Sequence, residues 1–146
     1  MSYQDPPLLP RDLVPTDSAM SYCRWSSDNW QCDLHCYADV NGGYTTYVAS
    51  NRVVGKVPVI DWNAGPEIVV AQQKRQYSFL LECERVSIDL PHAGETLRDA
   101  TLSAFRHRLL ELRLLGYRFP DCVLERVNSQ VADERLHAEE RIHGLL

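Results

Sequence analysis

The sequence predicts an α+β fold: a small antiparallel β-sheet packed against three α-helices. Three observations carry that expectation. Aromatic and β-branched residues flank the turn-forming triplet Asn41-Gly42-Gly43. Three later stretches repeat apolar residues at helical spacing. The chain has 146 residues and 45% hydrophobic content, enough for one domain with a sizeable core.

Residues 1–19 read as a Pro-rich flexible tail. Pro6, Pro7, Pro10 and Pro15 oppose both helix and sheet, and Pro7-Leu8-Leu9-Pro10 fits a PxxP pattern. Residues 20–146 then form a single α+β domain, with Met20 as a second candidate start. Residues 31–49 predict a β-hairpin. Residues 31–38 form its first strand, Asn41-Gly42-Gly43 its turn, and residues 44–49 (Tyr-Thr-Thr-Tyr-Val-Ala) its second strand. Alternation sends Cys32, Leu34 and Cys36 toward the core and Asp33, His35 and Tyr37 to the other face. Val53-Val54 and the run 57–60 allow one or two further short strands, with Pro58 demoting the second to an edge.

A first helix is expected from Pro66 to about Arg85, with Val69, Val70, Tyr77, Leu80 and Cys83 on its apolar face. Residues 90–94 break the chain. A second helix runs from residue 95 or 96 to Leu115, burying Leu97, Ala104, Phe105, Leu112 and Leu115. Gly116 stands where a left-handed cap belongs. A third helix begins at Pro120 and reaches about His143, with Leu124, Val127, Val131, Ala138 and Ile142 on one face. The short link 116–119 makes the last two helices an antiparallel pair.

Composition excludes several classes. Fifteen basic and twenty acidic residues give −5. Residues 1–73 hold 4 basic and 8 acidic side chains (−4), and residues 74–146 hold 11 and 12 (−1), so neither half is a basic footprint for nucleic acid. No apolar run approaches the roughly 18 residues of a membrane span. No basic-then-apolar leader is visible, so the five cysteines read as reduced cytosolic thiols.

Chemistry-bearing constellations are sparse. Cys23, Cys32, His35 and Cys36 have ligand types that suit zinc. In a regular strand, however, Cys32 and Cys36 lie about 13 Å apart. Two sulfurs on one zinc must sit within about 4 Å. The cysteines therefore read as small buried hydrophobes. Asp28, Asp33, Asp39 and Asp61 read as turn residues rather than a magnesium site, and His92 as a solvated or capping loop residue. No phosphate-binding loop is present. Two groups stand out for protein contact, because Trp, Tyr and Arg are enriched in interface hot spots. Tyr22, Arg24, Trp25 and Trp30 cluster before the hairpin, with His35 and Tyr37 on its outer face. Arg106 and Arg113 share one face of the second helix. The competing reading for Trp25 and Trp30 is that they cap the core.

The segment Met20-Ser21-Tyr22-Cys23-Arg24-Trp25-Ser26 resembles the opening of a family of small uncharacterised proteins encoded by tailed bacteriophages and prophages. The resemblance continues through the strand 32–37, the Asn41-Gly42-Gly43 turn, Leu90-Pro91-His92-Ala93-Gly94 and the Gly-Tyr-x-x-Pro segment 116–120. It covers about residues 20–130 and carries over no catalytic residue. It implies a non-enzymatic phage accessory protein that acts in the host bacterial cytoplasm by binding a host or phage protein. One concrete version is an inhibitor of host defence of the anti-CRISPR type. Tyr22, Arg24, Trp25, Trp30, His35, Tyr37, Arg106 and Arg113 are its expected contact residues. Neither a cofactor, a metal, nucleic acid nor a membrane is expected, and a homo-oligomer is left open. The alternatives are a virion structural or assembly component and a small metal-dependent enzyme.

Overall fold

The glycine pair of the predicted turn adopts the backbone that only glycine takes freely, with φ of 89° at Gly42 and 85° at Gly43. The Asp39 N–H donates to the Gly43 carbonyl and the Gly42 N–H to that of Asp39. This turn joins β2 (Leu34–Ala38) to β3 (Tyr44–Val48) in the register Leu34↔Val48 through Ala38↔Tyr44. These elements belong to a computed structural model that describes residues 20–144. The tail reading of residues 1–19 lies outside the described residues.

The fold is α+β. A four-stranded antiparallel sheet has the order β1-β2-β3-β6, from β1 (Met20–Cys23) at one edge to β6 (Thr96–Asp99) at the other. A separate two-stranded sheet pairs β4 (Asn51–Val53) with β5 (Arg85–Ser87). The helices are the single turn α1 (Ser27–Trp30), α2 (Pro66–Glu82), α3 (Leu102–Leu115) and α4 (Asp121–Gly144).

The expected start of the second helix needs correction. Residues 96–99 are a strand, not its first turn. Alternation there sends Leu97 to the core and leaves Arg98 on the other face, and Thr45, Thr46 and Tyr47 of β3 offer a ladder to pair with. The helix begins instead where Thr101, in extended backbone, accepts the Ala104 N–H on its hydroxyl at 3.1 Å. The sheet therefore gains its fourth strand from residues after α2.

The core lies between the sheet and the α3/α4 pair. Leu34, Cys36 and Val48 from the sheet meet Phe105, Leu109, Leu112, Val123 and Val127 from the helices. Tyr44 stacks on Phe105 with centroids 4.9 Å apart, and Tyr22 tilts onto the same ring at 5.0 Å. Tyr22 reaches it because β1 carries a bulge: Ser21 pairs with Tyr37 and Cys23 with Cys36, leaving Tyr22 as the extra residue. Of the expected α4 stripe, Val127 is buried, Leu124, Val131 and Ala138 are half-buried, and Ile142 is exposed where the helix outruns α3.

Gly116 is the left-handed cap the spacing predicted, at φ 114°, and its N–H closes onto the carbonyls of Arg113 and Leu112. A Cβ at Gly116 would meet Leu90 at 3.5 Å, so the strain is in the backbone rather than the packing. Gly116→Ala is expected to cost about 1 kcal/mol in urea denaturation, with the denaturant slope unchanged.

The chain between residues 50 and 88 leaves the sheet as an arm. Its stem is the β4–β5 pair, closed by Val54 N–H on Glu84 O and Ile88 N–H on Ser50 O, each at 2.8 Å. Its tip folds α2 back on the irregular segment 54–63. Gln76 donates to Pro58 O and Gln72 accepts the Asp61 N–H, both at 2.8 Å. These glutamines pair backbone groups that have no strand partner here.

Candidate functional site

Trp25, His35 and Tyr37 come together through the His35 ring. The Trp25 and His35 rings lie 5.7 Å apart, and His35 meets both Tyr37 and Tyr47 edge-on at 6.0 Å. The Tyr37 and Tyr47 hydroxyls are 3.2 Å apart, and burial first, then that contact, pushes the Tyr37 phenol up to about 12. This is a packed cluster rather than an open face. Trp25 is only 1% exposed and His35 5%, so neither presents surface to a partner. The reading of Trp25 as a core residue matches its burial.

The other expected contact residues are distributed and engaged. Tyr22 points to the opposite side of the sheet. It donates to Gln130 at 2.6 Å, and the Arg126 guanidinium sits 4.6 Å over its ring. Burial pushes its phenol up to about 12. Trp30 is half-buried against the core, and Arg24 is half-buried with its backbone N–H on the Ser27 hydroxyl. Arg106 donates to Asn128 of α4. Together with Ser103, Val131, Ala132 and Arg135 these two line a shallow cleft of about 320 Å³. Arg113 pairs with Asp121, donates to the Phe119 carbonyl and covers the Phe119 ring at 4.0 Å. Arg113 thus braces the α3–α4 link, and no common face joins it to the aromatic cluster.

Three features were not foreseen. First, Asp28, Asn29 and Trp30 take left-handed backbone in succession, with φ of 55°, 53° and 67°. Asp and Asn tolerate this conformation; Trp does so at a cost of order 1 kcal/mol. The turn is held by Asn29, whose amide donates to Val57 O of the arm at 2.9 Å.

Second, the bulge gathers the three nearby cysteines. Cys23 and Cys36 bring their sulfurs to 3.3 Å, and the Cys32 thiol donates to Leu34 O at 3.1 Å. Regular strand spacing keeps Cys32 and Cys36 apart, but Cys23 reaches both. Contact with Cys23 first, and then burial, holds the Cys32 thiol well above the usual range. Among the described residues, no set of three or more His, Cys, Asp or Glu side chains is arranged to hold a metal ion. His92 lies elsewhere, between Glu95 at 3.1 Å and Glu111 at 3.3 Å.

Third, the arm carries eight of the twelve exposed large hydrophobics among the described residues. The expected inward face of α2 splits. Leu80 is buried, Val69 and Cys83 are half-buried, but Val70 and Tyr77 point outward, 48% and 42% exposed. Leu81, at 54%, extends the same stripe, since positions 70, 74, 77 and 81 recur on one side of a helix. Lys74 stands within it. Val59 and Trp62, at 65% and 67%, lie exposed on the segment paired with α2. A 17-residue helix with a single buried side chain gains little from its own domain. Residues 70, 77 and 81 share a side turned about 80–100° from that of Val69 and Leu80, and a single broad apolar face does not distinguish the two.

No helix among the described residues is long and apolar enough to cross a membrane. Comparison of the chain with protein-family models, with curated proteins and with solved structures returns no match.

Proposed function

We propose that this chain is a non-enzymatic phage accessory protein that works in the host bacterial cytoplasm by binding another protein, as an inhibitor of a host defence system. The observation that carries the binding reading is the outward stripe Val70, Tyr77 and Leu81 on α2; Trp62 is exposed elsewhere on the arm. Clusters of exposed apolar side chains rimmed by polar residues are characteristic of contact surfaces on soluble proteins. A helix face of this kind suits an apolar groove, read at helical spacing. Lys74 within the stripe favours a carboxylate on the rim of that groove. The phage setting and the host target rest on the resemblance of residues 20–130. Trp25, His35 and Tyr22 are buried and do not form this surface.

The test is affinity capture from phage-infected host cells with tagged wild-type chain and two arm variants, Tyr77→Glu and Leu81→Glu. The expected result is one stoichiometric host complex that each variant weakens at least tenfold, about 1.4 kcal/mol. Both variants should unfold within about 0.5 kcal/mol of wild type, as exposed substitutions do. Capture of capsid or tail proteins alone would replace this reading with a virion component. Full retention of the host complex by both variants would remove the arm from the interface.

A further inference from the structure

We infer that Cys23 and Cys36 form an oxidisable pair, a site where a disulfide closes across β1 and β2. The two residues are direct partners in the antiparallel register, with sulfurs 3.3 Å apart. Opposed residues on antiparallel strands have Cα atoms about 4.5–5.5 Å apart. That lies inside the usual disulfide window of about 4.4–6.8 Å. With the sulfurs already at 3.3 Å, bond formation needs only a small further approach of the two side chains. Cys32 sets the specificity problem, because its thiol also lies against Cys23. The Cys23 and Cys32 thiols both donate to the Leu34 carbonyl, at 3.5 and 3.1 Å, so the preference for Cys36 rests on register: Cys36 is the β2 partner of Cys23, whereas Cys32 lies outside the strand.

Access comes through β1. It is a four-residue edge strand whose ladder is interrupted by the Tyr22 bulge, so it opens locally more readily than the central strands. The thiols are buried while it is closed. The oxidant is a small-molecule disulfide of the glutathione class. The Cys23 thiolate attacks one sulfur of that disulfide, forming a mixed disulfide and releasing one glutathione thiolate. The Cys36 thiolate then attacks the Cys23 sulfur and releases the second. The two protein thiols are oxidised, one glutathione disulfide is reduced to two thiols, and the two protein protons pass to the departing thiolates. The bond fixes the edge strand onto the sheet.

The experiment refolds the full chain from denaturant across a series of reduced-to-oxidised glutathione ratios, alkylates remaining thiols, and maps linked peptides by mass spectrometry. The expected product is a Cys23–Cys36 linkage that grows with the oxidised fraction and persists in Cys32→Ser. It is absent from Cys36→Ala, and Cys83 and Cys122 appear only as alkylated or glutathione adducts. The linked protein should melt about 5 °C higher than the reduced one. Three outcomes overturn the proposal: a dominant Cys23–Cys32 linkage, scrambled linkages involving Cys83 or Cys122, or free Cys23 and Cys36 thiols in the most oxidising mixture. The wild-type map decides between these even if a cysteine variant fails to fold.

Discussion

Trp25→Ala is expected to lower the stability of the domain by about 3–5 kcal/mol, the range for removing a fully buried large aromatic. Trp25 is the largest of the fully buried side chains and packs on His35, which in turn holds Tyr37 and Tyr47. Truncation empties a site that rigid β-strands cannot collapse into, so the cavity term adds to the lost burial. Urea denaturation monitored by far-UV circular dichroism measures the loss. Trp62→Ala is the contrasting variant. Trp62 is two-thirds exposed, and its removal should change stability by less than about 0.5 kcal/mol. The pair separates two roles that tryptophan content alone confounds. A Trp25 variant that loses a partner has lost the fold, whereas a Trp62 variant that loses a partner has lost contact surface. Equal stability of the two variants would show that the aromatic cluster around His35 is not packed as described.

Asp33→Asn should cost about 2–4 kcal/mol. Asp33 is 1% exposed, and its carboxylate ties three distant segments together. It accepts from Arg52 Nε at 3.1 and 3.2 Å and from Arg52 Nη2 at 2.8 Å, on the arm's stem. It also accepts the Arg118 backbone N–H at 2.7 Å, in the link between α3 and α4, while its own N–H donates to Arg118 O at 2.8 Å. An amide in its place keeps the shape but turns an N–H₂ group toward a guanidinium and loses the charge assistance. The figure stays below the full cost of an orphaned buried charge because Arg52 and Arg118 keep part of their hydration. Arg52→Met should be comparably harmful, since it leaves the buried carboxylate with Arg118 as its one cationic partner. The double variant should cost clearly less than the sum of the two, because each single change already breaks the shared contact. A double-mutant cycle in urea measures that coupling, and additive costs would show that the Asp33–Arg52 pair contributes nothing of its own.

The features legible in the residues share one property: each rests on contacts within a few positions. Asn41-Gly42-Gly43 announced its hairpin because positive φ at Gly42 and Gly43 is a local requirement. Gly116 announced the end of a helix for the same reason. Helical periodicity located α2, α3 and α4 to within a few residues at most boundaries. Where local chemistry was ambiguous the reading failed. Thr96 to Asp99 carry a residue pattern that fits the first turn of a helix as well as an edge strand, and only β3 beside them decides. β5 is three residues long and exists because β4 pairs with it. The expected contact residues split on burial, which a sequence states only on average for Trp, Tyr and His.

The amino-acid sequence by itself determined the fold class, the hairpin and its turn, the C-terminal helix pair and the cap between them. These follow from backbone preference and apolar period, which act over distances shorter than one element. Only the tertiary structure decided which apolar residues of α2 face outward. It also decided that Trp25 and His35 lie inside, that Cys23 meets Cys36, and that Asp33 joins the arm's stem to the link between the last two helices. Each of these depends on groups remote in sequence, and their placement is set by the mutual burial of whole elements rather than by any residue's own preference.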